Sequence, residues 1–140
     1  MSELDRRIAE KIELAWAAGF FDGEGNAGWH HAYYFNGVQY ERGALKVGQV
    51  NKEPLERFQK AVRGGNINGP YEHKGRNNQP YYEWRVQQYS EVKRIGELLL
   101  PFVCSIKRDQ LNSMLEKMSL WQEKVHNKIK VRDSHGRYIS

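Results

Sequence analysis

The residues of this chain best equipped for chemistry are two carboxylates set among glycines, in Ala17-Ala18-Gly19-Phe20-Phe21-Asp22-Gly23-Glu24-Gly25. The segment has the composition of a helix that ends in small side chains, and such side chains let a second backbone approach closely. Gly23 and Gly25 are expected to let the chain turn sharply and expose backbone oxygens. A carboxylate beside a bare carbonyl is what Mg²⁺ takes from a protein when substrate phosphate supplies the remaining ligands. One helix tip would then carry both a packing surface and a metal site.

Other candidate ligands are weaker. His30 and His31, with His73, raise the question of zinc, but neighbouring residues of a strand point to opposite faces and no cysteine cluster assists them. Zinc is therefore not expected. Cys104 is the only cysteine, which excludes an internal disulfide and an all-cysteine zinc site. That favours a reducing compartment, a bacterial cytoplasm or an organelle matrix. Met1–Lys11 has acidic residues among its basic ones and no secretory apolar core, and no apolar run is long enough to span a bilayer. Secretion and membrane partners are not expected.

With 140 residues the chain is expected to form one domain with a single core. Lys and Arg outnumber Asp and Glu by 22 to 17, a mild bias toward polyanions. Much of the surplus lies at the end, where Lys124, Lys128, Lys130, Arg132 and Arg137 face only Asp133. The division expected is a domain over 1–123 and a basic tail over 124–140. The tail is either a solubilising end or an arm that contacts phosphates.

The elements that must position the tip follow from periodicity. Arg6 to Asp22 reads as a helix with Ile8, Ile12, Trp16 and Phe20 along one side, and Ala15, Ala18, Gly19 and Asp22 on an adjoining narrow side. Asn26–Tyr34 and Tyr40–Gln49 read as a hairpin around Asn36-Gly37. In its second strand Leu45 and Val47 should face inward, leaving Arg42, Ala44 and Lys46 on the open face, joined by Gly28, His30, Ala32 and Tyr34 of the first. Asn51 should cap a helix with Leu55, Phe58 and Val62 on its buried side, ended by Gly64-Gly65. A second hairpin, Asn66–Glu72 and Tyr81–Gln88 with a polar loop through Lys74–Asn78, should point Trp84 and Val86 inward and Tyr81, Glu83, Arg85 and Gln87 outward. Ser90 should cap a third helix that stops before Pro101, and a last helix should run from about Ile106 to Trp121. Such an order makes one four-stranded antiparallel sheet with helices on one face. The uncovered face, rich in hydrogen-bonding side chains, suits base edges in a DNA major groove, or is merely solvated.

These residues resemble the LAGLIDADG homing endonucleases. Trp16–Gly25 is similar to that family's signature at nearly every position, with Ala17 where Leu is usual and Glu24 where Asp is commoner. Leu45–Gln49 followed by Pro54-Leu55-Glu56, and Leu100-Pro101-Phe102 leading to Ile106-Lys107-Arg108, also resemble family segments. The resemblance implies an α+β fold of order αββαββα, with a four-stranded antiparallel saddle-shaped sheet and helices on one face. The signature occurs once, and single-copy members act as homodimers. Ala15, Ala18, Gly19 and Asp22 would then meet a second identical helix across a two-fold axis, bringing two Glu24 carboxylates together.

The resemblance further implies a site-specific endonuclease that hydrolyses one phosphodiester in each strand of double-stranded DNA. The target would be a long pseudo-palindromic site, cut to leave short 3′ overhangs. Glu24 and the Gly23 carbonyl would hold Mg²⁺, with Mn²⁺ able to substitute and Ca²⁺ binding without supporting cleavage. Lys107 would place positive charge beside the reacting phosphate, against the rival view of an exposed lysine at a helix start. Gln49 would position water, or simply end a strand. Asp22 is cast as a structural or metal-adjacent group rather than the principal ligand, with hydrogen bonding to the backbone of the facing helix as the favoured role. His30, Tyr34, Tyr40, Arg42, Lys46, Asn68, Tyr81, Glu83, Arg85 and Gln87 would meet DNA on the open face. The alternative is a non-cleaving nucleic-acid binder such as an intron-splicing maturase, so intron RNA stays open as a partner.

Overall fold

The computed structural model describes the backbone of residues 1–72 and 79–130, and the side chains of these apart from residues 30–35, 38–40 and 125–130. Helix α1 (Glu3–Glu24) leads into strands β1 (Gly25–Phe35) and β2 (Val38–Gln49), then helix α2 (Lys52–Val62). Strands β3 (Asn66–Tyr71) and β4 (Tyr81–Val86) follow, then α3 (Tyr89–Leu99), a 3₁₀ turn at Leu100–Phe102, and α4 (Ser105–Lys130). The strands form one antiparallel sheet in the order β1-β2-β4-β3, matching the expected α+β architecture.

The register places the apolar alternation on one side. Leu45 pairs with Val86 and Val47 with Trp84, while Ile67 lies across from Trp84 on β3. All four helices contribute to the core beneath that side, with Phe21 from α1, Leu55, Phe58 and Val62 from α2, Val92, Ile95 and Leu99 from α3, and Leu111, Met114 and Met118 from α4. Trp84 is fully buried, presents its edge to Phe58 at 4.7 Å between centroids, and donates from Nε1 to the Gly64 carbonyl at 2.8 Å. A buried indole keeps its polar handle satisfied in this way. Gly65, in the left-handed region at φ 82°, leaves no room for a side chain against that same indole.

Helix α1 is anchored to α2 along one flank. Arg57 donates to both carboxylate oxygens of Glu13 at 2.9 Å and lies over the Trp16 ring at 4.0 Å, and Arg63 pairs with Glu10 at 2.9 Å. Trp16 stacks on Phe20, which meets Phe58. The expected stripe of Ile8, Ile12, Trp16 and Phe20 therefore splits. At 3.6 residues per turn, each four-residue step drifts by roughly 40° around the helix. Trp16 and Phe20 reach α2, whereas Ile8 and Ile12 remain 48% and 59% exposed.

Several expected boundaries are corrected. Asn51 occupies the cap position of α2 without a side-chain cap bond, and the left-handed residue closing that helix is Arg63 (φ 56°) rather than a glycine. Its exposed carbonyl end is held instead by Arg94, which donates to the carbonyls of Val62 and Arg63. The third helix begins at Tyr89 after Gln88, so Ser90 is not its cap. Helix α4 runs from Ser105 to Lys130, beyond the expected end near Trp121. The expected polar loop through Lys74–Asn78, His73, and the tail from residue 131 lie outside the described residues.

Candidate active site and nucleic-acid interface

Glu24 is the last residue of α1 and is exposed, and Gly25 opens β1 directly. The sharp glycine turn expected here is absent. Gly25 is extended (φ −85°, ψ 163°) and neither it nor Gly23 has a positive φ. Gly25 is required for another reason, because a Cβ there would run into the ring of the buried Phe21. Gly23 lies in the last helical turn with open space around it. Carbonyls of a last turn lack intrahelical donors, so the Gly23 oxygen stands beside the Glu24 carboxylate as a free acceptor by position.

Both carboxylate oxygens of Asp22 lie 3.2 Å from the backbone nitrogen of Cys104, which donates to them just before α4. Within this chain the backbone that Asp22 engages is the start of α4. A negative group at a helix start also suits the helix dipole. The hydrogen bond and the charge of Asp22 together push the Cys104 thiol above its ordinary pKa. The same junction is held by Arg108, whose side chain donates to the carbonyl of the buried Val103 at 3.1 Å. Lys107, partly buried, stands in the first turn of α4. Gly25 pairs with Val47, two residues before Gln49 at the end of β2. The Asp22–Cys104 contact joins the last turn of α1 to the start of α4, the elements that carry Glu24 and Lys107.

The small-residue side of α1 is open only in part. Ala15 and Gly19 are exposed, and a side chain at Gly19 would meet nothing within 4 Å. Ala18 is 0% exposed and belongs to the core of its own chain, so it has no surface to offer a second one. Leu4, Ile8 and Ile12 share the open side with Ala15 and Gly19, and sequence reasoning missed them as surface residues. Their periodic spacing looked like that of a stripe with a single neighbour.

The open sheet face is strongly polar. Lys46 lies directly across from Arg85, and the backbone of His30 across from that of Arg42. Asn68 is exposed, and Arg42, Lys46, Tyr81, Glu83, Arg85 and Gln87 are partly so. Arg85 Nε stands 3.0 Å from Glu83 Oε1, an ion-pair distance without hydrogen-bond alignment, so that nitrogen has no hydrogen-bond partner. Ala44 is buried yet outside the core cluster, which corrects its expected exposure on this face. A bulge between His31 and Tyr33 sets Tyr33 opposite Tyr40 and Tyr34 opposite Gln39. The alternation begun at Gly28 is therefore not carried through to Tyr34. The side chains of His30, Tyr34 and Tyr40 lie outside the described residues.

Among the described residues, no three His, Cys, Asp or Glu side chains are grouped to hold a metal ion, and no helix is long and apolar enough to cross a membrane.

The sequence matches no protein-family model and no curated protein. Solved structures do match. The homing endonuclease I-CvuI, crystallised with its target in the presence of Ca²⁺, superposes with a TM-score of 0.66 at 23% identity, over 80% of this chain and 69% of that one. The archaeal intron-encoded homing endonuclease I-Vdi141I, complexed with DNA, gives 0.65 at 22% identity over 86% and 76%. The LAGLIDADG homing endonuclease I-GzeII, in complex with a DNA target, gives 0.66 at 14% identity, over 81% of this chain but only 37% of its own. With one copy of the Trp16–Gly25 signature seated at the end of α1, the chain has the fold of the LAGLIDADG homing endonucleases in a single-motif form.

Proposed function

We propose that the chain is a site-specific, metal-dependent DNA endonuclease that acts as a homodimer. The observation that carries this reading is the open side of α1. Ala15 and Gly19 are exposed beside Leu4, Ile8 and Ile12, on a helix whose tip presents Glu24 to solvent. Exposed apolar side chains flanked by a glycine fit a second backbone better than water. Two such helices crossing at a dyad would bring their Glu24 tips together.

The donors at one tip are a single exposed carboxylate and a last-turn carbonyl. That set is too small for a closed cation cage, and it fits Mg²⁺ whose further ligands come from phosphate oxygens and the partner tip. Bound there, the cation would activate water and stabilise the leaving oxygen in each strand. Glu24 and Gly23 would hold it, Gln49 would orient water, and Lys107 would offset charge on the reacting phosphate. I-CvuI was crystallised with its own target in Ca²⁺ and with the I-CreI target, left uncleaved, in Mg²⁺, which is consistent with divalent cations at such a site.

The open face supports a polyanionic partner independently. Lys46 and Arg85 stand directly opposite each other. Like charges in that relation repel, and the Glu83 carboxylate beside Arg85 offsets only part of that charge within the chain. Arg42, Lys46 and Arg85 would contact phosphates or guanine, and Asn68, Gln87 and His30 base edges, with Tyr34, Tyr40 and Tyr81 along the sugar-phosphate wall. Two such faces related by a dyad would prefer a long pseudo-palindromic duplex, cut to leave short 3′ overhangs.

Selection for cleavage from a randomised duplex library in Mg²⁺ tests this reading. Recovery of a pseudo-palindromic site cut in both strands is expected. No cut duplex from that selection, with tight binding to intron RNA or duplex DNA in a separate binding assay, would replace it with a non-cleaving binder of the maturase type.

A further inference from the structure

The junction between the tip and α4 has a construction beyond what the proposed nuclease reading requires. Asp22 is two residues before Glu24, and Lys107 is three residues after Cys104. Between those pairs stands one contact, the Cys104 amide shared between both oxygens of Asp22 at 3.2 Å each. The amide is the first donor of a 26-residue helix, so the carboxylate meets the positive end of a long dipole as well as a single N–H. Val103, buried in the core, and the Arg108 contact to its carbonyl fix the backbone on the other side of Cys104.

This geometry leaves α4 little freedom to slide or tilt about its start. Helix α4 packs its Leu111, Met114 and Met118 against the sheet, so its axis is set further along. Its first turn, which carries Lys107, has no comparable apolar anchor. Ile106 is 73% exposed and Phe102 is 47% exposed. Without Asp22, the first turn would be tied to the fold only by the Val103–Arg108 contact, which does not reach α1. The thiol of Cys104 is not needed for this, since the amide alone receives the carboxylate.

We infer that Asp22 is a positioning residue, which acts through the Cys104 amide to hold the first turn of α4, and Lys107 with it, against the last turn of α1 that ends in Glu24. The inference rests on the proposed nuclease activity and assigns Asp22 no contact with the cation or the DNA. A misplacement of the order of 1 Å at a reacting centre can cost about a hundredfold in rate. Asp22→Ala should therefore lower the cleavage rate at saturating DNA by roughly ten- to a hundredfold, while DNA affinity in Ca²⁺ changes less than about threefold. Asp22→Asn, which retains one acceptor oxygen for the amide, should recover much of that loss.

The test is a double-variant cycle, with single-turnover cleavage measured for the unaltered chain, Asp22→Ala, Lys107→Met and the pair. If Asp22 acts through Lys107, its loss costs less than about threefold once Lys107 is gone. Losses that multiply in the pair would show Asp22 acting without Lys107 and overturn the inference while leaving the nuclease reading intact. No cleavage by the unaltered chain in Mg²⁺ would overturn both. Should Asp22→Ala not fold, as judged by circular dichroism, the same cycle with Asp22→Asn gives the smaller but still non-multiplying effect or refutes it.

Discussion

The ring of Phe21 fills the space that a side chain at Gly25 would need, so the helix tip and the first strand are locked together through a contact between a buried aromatic and a bare backbone. Glu24 lies between the two. Its place at the surface is therefore set by packing rather than by a flexible turn. Gly25→Ala should destabilise the fold by about 1–3 kcal/mol, the usual cost of forcing a group into a packed core. Urea unfolding would measure it, and a midpoint unchanged from that of the unaltered chain would contradict the contact.

Gly19 behaves in the opposite sense. A side chain there meets nothing within its own chain, and replacing a helical glycine raises helix propensity by up to about 1 kcal/mol. Gly19→Leu should leave thermal stability of the monomer intact or raised, yet block close approach of a second α1. Sedimentation should give a dimer mass for the unaltered chain and a monomer mass for the variant. A variant dimer of equal affinity would remove α1 from the interface.

The Cys104 thiol reports on the Asp22 contact. Hydrogen bonding to Asp22, then its charge, raise the thiol pKa above the ordinary value. For an acid raised in the folded state, the protonated form is the favoured one. The associated stability is present below the ordinary thiol pKa and is lost as pH rises through the folded value. Alkylation by iodoacetamide, which needs the thiolate, should be slower at pH 8 in the folded chain than in the urea-unfolded chain. Asp22→Asn should speed it in the folded chain. Equal rates for the two folded proteins would show that Asp22 does not govern the thiol.

Most of the fold was legible because its strands are amphipathic with a strict period of two. Leu45, Val47, Trp84 and Val86 point inward as their alternation requires. The order of elements followed from glycine and proline punctuation. What was not legible depended on three-dimensional neighbours. Ala18 and Ala15 are alike in type and differ only in which side of α1 meets the core. Ile8 and Ile12 have the spacing of core residues but stand exposed on the side of α1 shared with Ala15 and Gly19. Arg63 takes the left-handed cap expected of a glycine because Arg94, far off in sequence, holds the carbonyls it frees. The Asp22–Cys104 contact joins residues 82 positions apart, and no local pattern announces it. At the site, the acidic tip was visible as a motif, whereas the bulge that shifts Tyr34 out of phase left no mark in the strand pattern.

Removing one carboxylate tests the centre of this picture most directly. Cleavage of a selected duplex in Mg²⁺ should be compared for the unaltered chain and Glu24→Gln, with binding of each measured in Ca²⁺. Loss of several kcal/mol of transition-state stabilisation predicts a fall in cleavage rate by roughly a hundred- to a thousandfold, with binding retained. Cutting by Glu24→Gln at the rate of the unaltered chain would contradict a metal-holding role for Glu24 and the paired-tip mechanism with it.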